Sequence, residues 1–301
     1  MELRVLRYFL TVAEKGSVTG AAKVLHVTQP TLSRQLMDLE EELGQKLLVR
    51  SNHSVRLTSE GMLLRNRARE ILEMVQKTES EFNSMGKNIA GNVYIGCGES
   101  EAMMLIAKVM KEINLEFPEI RFQVYSGNAE DVTERLDKGI LDFGVLIQPV
   151  DISRYDYLSL PAKDRWGVIV PEDSPLAEKR FVTREELLGV PLICSRQISF
   201  RSLSGNPYTD WFGEDGKLLN IVATYNLIYN AILMVKAGLG YAVGLDKLLA
   251  GTSVNGVCFR PFFPKLESEL NIVWKKSPLF SKAAELFFQR IQVRFGTNEQ
   301  Q

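Results

Sequence analysis

Residues 17–50 read SVTGAAKVLHVTQPTLSRQLMDLEEELGQKLLVR, two short helical patterns separated by a Thr-Gln-Pro turn and followed by a basic tail. Ser17 suits the N-cap of a helix through Ala21, Ala22 and Leu25, and the two alanines let a neighbouring helix come close. After a turn at His26 and Val27, Thr28 offers a second N-cap, and Pro30 falls in the first turn, where its missing N–H removes no helical bond. The helix beginning at Gln29 carries Leu32, Leu36, Leu39 and Leu43 at spacings of four, three and four, a stripe expected to pack inward. Pro30, Ser33, Arg34 and Met37 fall on the other side, with Gln29 and Thr31 at the N-terminal tip. Such a tip has the donors and acceptors that read base edges in a major groove, and helix N-termini also favour phosphate. The acidic run DLEEELG comes later, on the part expected to lie away from DNA.

The flanks complete a small domain. Leu3, Leu6, Leu10 and Ala13 predict a first helix with one buried face, ended by Gly16. KLLVRSNHSVRLT, residues 46–58, reads as strand, turn, strand, with His53 at the tip and Arg50 and Arg56 beside it, a wing suited to backbone or minor-groove contact. Residues 1–58 are therefore expected to form a winged helix-turn-helix. A polar helix face taken alone is more often simply solvated; the combination of caps, stripe and wing carries the DNA reading.

Charge bounds that reading. The chain has a formal net charge of −1 over 301 residues, which excludes a globally cationic polymer-binding protein. Residues 1–58 hold eight Lys/Arg against six Asp/Glu, so any DNA contact rests on a local patch. No stretch has the length and apolarity of a membrane span, and the first residues lack a signal-peptide core, so a cytoplasmic protein is expected. Cys97, Cys194 and Cys258 lie far apart without CxxC pairing, which suits core thiols in a reducing compartment and argues against zinc.

The segment FLTVAEKGSVTGAAKVLHVTQPTLSRQLMDLEEELGQKLLVRSNHSVRLTSEG, residues 9–61, resembles the N-terminal signature of the bacterial LysR-type transcriptional regulators almost position by position. The resemblance implies DNA contacts from Thr28, Gln29, Pro30, Thr31, Ser33 and Arg34, and from Arg50 at the wing. His53 stands where family members often have a second wing arginine, and neutral imidazole is a weaker phosphate partner than guanidinium.

Residues 59–88 contain no proline and place Leu64, Ala68, Ile71, Val75, Thr78, Phe82 and Met85 at alternating spacings of four and three, a seam on a long linker helix. Self-association would bury it; folding back on its own chain is the alternative. The resemblance implies paired linker helices that set two recognition helices on a two-fold, inverted-repeat operator, in a homodimer or tetramer, with RNA polymerase as a further candidate partner.

Residues 89–301 alternate β and α patterns. VYIG, RFQVYS, LDFGVLI, WGVIV, PLICS, YAVGL and ELNIVWK are candidate strands, with helices at AMMLIAKVMKEI and LIYNAILMVKAG, so an α/β fold of mostly parallel pairing is expected. Crossings near Leu160 and Leu266 divide it into lobe one, 89–160 with 267–301, and lobe two, 161–266. The resemblance to the LysR-type effector domain, similar in fold to periplasmic binding proteins, supports two lobes with a ligand at the strand ends between them. Candidate effector contacts are Ser100, Gly127, Asn128, Ser195, Arg196, Gln197, Thr224 and Asn226, although each residue type is more often a turn or cap. Asp142 reads as structural. GCGESEAMM, with Glu101 where a dinucleotide loop needs Gly or Ala, does not read as a nucleotide site. Arg196 and Arg201 suit a carboxylate effector; the alternative is that they face solvent or pair with acids.

An enzyme is not expected. The chain's two histidines, His26 and His53, fall in the winged-helix segment, away from Cys97 and Cys194, and no G-x-S-x-G, P-loop or HExxH motif occurs. No cofactor and no metal are implied. The rival readings, a small-molecule binding protein without DNA activity and, less favoured, an α/β enzyme, must both treat residues 17–57 as an accident.

Overall fold

Two caps and two glycines lay out the first helices as the sequence predicts. The Ser17 hydroxyl accepts the Gly20 N–H at 3.2 Å and the Thr28 hydroxyl accepts the Thr31 N–H at 3.3 Å. Gly16 and Gly44, both left-handed with φ of 61° and 65°, end the first and third helices. The computed structural model describes residues 1–50, 54–83, 89–196, 207–248 and 256–296. These fall into two compact units, Met1–Asn83 and Ser84–Gln301.

The first unit runs α1 (Leu3–Lys15), α2 (Val18–Val24), α3 (Gln29–Leu43), β1 (Leu48–Arg50), β2 (Val55–Leu57) and α4 (Ser59–Asn83). Phe9, Val12, Ala21, Ala22, Leu32, Leu36 and Leu39 meet in one core that Leu47 and Leu48 of the wing complete. On α1 the buried face is Val5, Leu6, Phe9 and Val12; of the predicted stripe Leu6 is buried, Leu10 and Ala13 are half-buried, and Leu3 is exposed. The sequence holds two interleaved apolar stripes. Packing of α1 against α2, α3 and α4 together selects the one containing Phe9.

A second correction falls on α3. Leu43 is 39% exposed, and Glu40, inside the acidic run, is 5% exposed. Its carboxylate accepts the N–H groups of Leu47 and Leu48 at 2.9 and 3.0 Å and pairs with Lys46 at 3.1 Å. Burial raises its pKa, but those hydrogen bonds outweigh it and hold the carboxyl below the usual glutamate range. One acid thus ties the wing to α3. β1 and β2 pair antiparallel, Leu48 opposite Leu57 and Arg50 opposite Val55.

α4 begins in close contact with the wing. Thr58 caps the Gly61 N–H at 2.9 Å, and a Cβ on Gly61 would stand 2.1 Å from the Leu47 carbonyl oxygen, so only glycine fits. The predicted seam divides along the helix: Ala68 is buried and Leu64 joins the core of its own unit, whereas Thr78 and Phe82 are exposed. Met85 lies outside the described residues.

The second unit is an α/β fold around one long sheet, in the order β4-β3-β5-β11-β6-β9-β7-β8, with β10 also paired to β6. The strands are β3 (Gly91–Cys97), β4 (Ile120–Ser126), β5 (Phe143–Ile147), β6 (Tyr155–Pro171), β7 (Pro191–Ser195), β8 (Asn220–Tyr225), β9 (Tyr241–Leu245), β10 (Val257–Pro261) and β11 (Glu267–Lys275). The helices are α5 (Met103–Glu116), α6 (Ala129–Asp137), α7 (Pro207–Phe212), α8 (Ile228–Lys236) and α9 (Lys282–Phe295). β3, β4 and β5 are parallel in one half and β7, β8 and β9 in the other. The pairing is not mostly parallel, because β6 and β11 are the strands that carry the chain between halves and they pair antiparallel to their neighbours. β6 pairs with β11 as far as Arg165 and with β9 and β10 from Trp166 onward, so one strand serves both lobes.

Each lobe buries both sheet faces. Ile95, Ile106, Phe143, Phe287 and Ile291 form the main core of lobe one, with α6 covering the other face through Val132 and Leu136. Val168, Leu192, Phe212 and Phe262 form that of lobe two, opposite Ile169, Ile193, Ile228 and Ile232. β8 and β10 were not among the predicted strands. β8 is an edge strand with four of its six residues exposed, so it lacks an apolar pattern.

Candidate DNA-reading face and interlobe cleft

The tip of α3 leaves its polar groups outward. Leu32, Leu36 and Leu39 anchor the helix from below, while Thr28, Gln29, Pro30, Thr31 and Arg34 are exposed and Ser33 is half-buried. The Thr28 and Thr31 hydroxyls lie 2.8 Å apart, so part of their hydrogen-bonding capacity already shapes the first turn. Gln29 and Arg34 stand on the solvent side of that turn. A fixed helix end bearing an amide and a guanidinium is suited to base edges and to phosphate. Arg56 is exposed on β2. Arg50 is described through its backbone pairing with Val55 alone, and His53 lies outside the described residues.

In the second unit the segments that follow β3, β8 and β9 come together beside β6. Three contacts on this line join the lobes. The Glu99 carboxylate accepts the Ile228 N–H at the start of α8, where a helix end favours negative charge. Lys247, after β9, pairs with Glu101, after β3, at 3.3 Å. Ser100 lies near Asp164 of β6, where its hydroxyl favours the charged carboxyl, and its oxygen accepts the Ala102 N–H at 3.0 Å.

The sequence-predicted effector residues surround this line in different states. Asn128 is buried and engaged in a capping box, its side chain accepting the Asp131 N–H at 2.8 Å while its own N–H donates to Asp131. Gly127 is buried, and a Cβ there would stand 2.8 Å from the Tyr125 ring. Ser195 is buried at the end of β7; Arg196 is exposed, its backbone N–H donating to the Tyr225 carbonyl at 2.7 Å. Thr224 and Asn226 are exposed, and the Asn226 amide oxygen accepts the Leu227 N–H at 3.0 Å. Gln197 and Arg201 lie outside the described residues. Asp142 holds Tyr94 through two bonds, at 2.8 and 2.9 Å, in a structural role.

Sequence reasoning missed Glu99, Asp164 and Lys247. Glu99 had a signal, its place beside Ser100 at a strand end; Asp164 and Lys247 had none, since their neighbours come from distant parts of the chain. Cys97 and Cys194 are buried, and burial pushes the Cys194 thiol up to about 12, which makes it a poor nucleophile. Among the described residues no group of His, Cys, Asp and Glu could hold a metal ion, and no helix is long and apolar enough to cross a membrane.

Comparison with known proteins is consistent along the whole chain. The profile of the family described as "Bacterial regulatory helix-turn-helix protein, lysR family" matches residues 3–62, and that of the "LysR substrate binding domain" matches residues 86–295. The Hca operon transcriptional activator HcaR of Escherichia coli is 31% identical over 299 residues, 99% of each chain. Among solved structures, that of the LysR family transcriptional regulator CbnR has the same fold, with a TM-score of 0.72 at 19% identity over 97% of this chain and 99% of that one. HinK, a LysR family transcriptional regulator of Pseudomonas aeruginosa, is 25% identical over 97% of this chain and 98% of its own, with a TM-score of 0.53.

Proposed function

The chain belongs to the LysR family of bacterial transcriptional regulators, and from that premise we propose that it reads an inverted-repeat promoter site with α3 and answers to a small molecule held between its two lobes. It is a DNA-binding regulator, not an enzyme. The observation that carries the α3 assignment is the exposure of Gln29 and Arg34 on a helix whose Leu32, Leu36 and Leu39 are buried. Thr28, Pro30, Thr31 and Ser33 complete the reading tip, and Arg50, His53 and Arg56 supply wing contacts. A near-neutral chain binds DNA in this way because a symmetric oligomer presents several small basic surfaces at once.

The working division is a DNA-binding domain over 1–58, a linker over 59–88 and an effector domain over 89–301, with lobe one at 89–160 and 267–301 and lobe two at 161–266. The exposed Thr78 and Phe82 on α4 support pairing of linker helices in a homodimer or tetramer. Ser100, Gly127, Asn128, Ser195, Arg196, Gln197, Thr224 and Asn226 are the effector contacts, and exposed Arg196 suits a carboxylate on the ligand. The effector must bind two arrangements of the lobes unequally in order to switch anything. RNA polymerase is the partner through which regulation is read out, and the cytoplasm is where it acts.

A footprint of the purified protein over the genomic DNA of its own organism, at a stated salt concentration, tests this reading. Discrete sites with two-fold symmetry are expected. Diffuse binding that fades with salt and shows no symmetric sites would contradict it.

A further inference from the structure

The interlobe line contains a group that the fold leaves incomplete. Asp164 is 1% exposed, and its Oδ2 has no hydrogen-bond partner among the described residues. The carboxylate sits at the crossing strand, opposite Ser268 of β11, near Ser100 of lobe one and within the electrostatic reach of Asp246 and Lys247 of lobe two and Glu101 of lobe one. Burial pushes its carboxyl up from the ordinary aspartate range. A buried carboxylate oxygen without a donor is costly, and a side chain held so by both lobes is not accounted for by local capping.

The surroundings select the donor. Trp166 and Tyr208 stand edge to face with ring centroids 4.6 Å apart, and both touch Ser268: the Trp166 indole N–H donates to its Oγ at 2.8 Å and the Tyr208 hydroxyl lies 3.1 Å from it. Ser268 is the residue paired with Asp164 across the sheet, so the aromatic pair flanks the acid. The acids along this line are Glu99, Glu101, Asp164 and Asp246, against two cations, Lys247, which is already paired with Glu101, and Arg165, whose backbone N–H donates to Asp246. A buried acid, an aromatic pair and a surplus of negative charge favour a cation with N–H donors over an anion.

We propose that Asp164 is a specificity-determining residue of the interlobe cleft and that the effector presents it with a protonated amine. The inference rests on the effector lying between the lobes and adds the chemistry of one end of it. A carboxylate elsewhere on the same ligand, toward Arg196, is compatible. Oδ2 is closed to solvent in this arrangement of the lobes, so the ammonium reaches it in a second, more open arrangement, donates to it there and offsets its charge, and occupancy is thereby coupled to the disposition of the lobes.

Three fragments with one ring, benzylammonium, benzyl alcohol and benzoate, test it on the full-length protein with 15N-labelled tryptophan. The Trp166 indole N–H reports the site, and those of Trp211 and Trp274 report general perturbation and fold. Benzylammonium is expected to shift Trp166 selectively and to bind at least about tenfold more tightly than benzoate. Asp164→Asn, which keeps the shape, is expected to weaken benzylammonium by about tenfold or more while Trp211 and Trp274 signals stay in place. The wild-type ranking of the fragments stands even if the variant does not fold. Preference for benzoate at Trp166, or equal benzylammonium affinity in Asp164→Asn, overturns the amine while keeping the cleft. No Trp166 shift from any fragment overturns the amine and counts against the cleft as well, leaving operator binding by α3, measured by footprinting, unaffected.

Discussion

The tip of α3 and the interlobe cleft both consist of polar side chains at the ends of regular elements, yet they use those side chains differently. At α3 the helix is held by Leu32, Leu36 and Leu39, so Gln29 and Arg34 are left over for a partner. In the cleft, polar groups also build the fold: Asn128 caps α6, Ser100 accepts the Ala102 N–H, and Glu99 meets the first N–H of α8. Polar residues that the fold does not use are interpretable from sequence; polar residues that it does use look like ordinary caps until their neighbours are known.

Substitutions in the two regions test that contrast. The largest effect belongs to the support under α3: Phe9→Ala, emptying a fully buried site, is expected to cost about 3–5 kcal/mol in denaturant unfolding of the first unit. Next comes Glu40, the exception to the rule that α3 uses apolar residues for support. Glu40→Ala leaves the Leu47 and Leu48 N–H groups unpaired and is expected to cost about 1–3 kcal/mol. Because the folded-state pKa of Glu40 is depressed, its contribution is present above the unfolded glutamate value and is lost as pH falls through the lower folded value. Glu40→Gln should remove that acid-limb dependence in unfolding titrations. An unchanged acid limb would show that Glu40 is not what ties the wing to α3.

Smaller effects separate the two regions directly. Asn128→Ala is expected to lower stability by about 1 kcal/mol through loss of the capping box, measured by thermal unfolding. Lys247→Ala is expected to change it by less than about 0.5 kcal/mol, because the Lys247–Glu101 pair is half in solvent. A large loss there would mean that the lobes are held together by this pair and not by the shared strand β6.

The legibility of the two regions follows the same contrast. The caps at Ser17 and Thr28, the stops at Gly16 and Gly44 and the leucines of α3 act over three or four residues, so their spacing is written in one continuous stretch. The choice between two stripes on α1, and the burial of Glu40 in place of Leu43, depended on the wing and on α4 and could not be read locally. The α/β class was legible from alternating patterns, and the two lobes from the length of the region and the family resemblance. The antiparallel crossing strands were not, because β6 reads as an ordinary strand whose partners change only in three dimensions. Asp164 is one of two acids in that strand, with Asp156, and nothing near it in sequence marks it as buried.

The most direct test of the central claim compares operator affinity with thermal stability for Gln29→Ala and Arg34→Ala at fixed salt. Each substitution is expected to weaken specific DNA binding by about 1–3 kcal/mol and to leave the melting temperature essentially unchanged. Wild-type affinity in both variants, or a loss of affinity matched by loss of fold, would contradict the assignment of α3 as the helix that reads DNA.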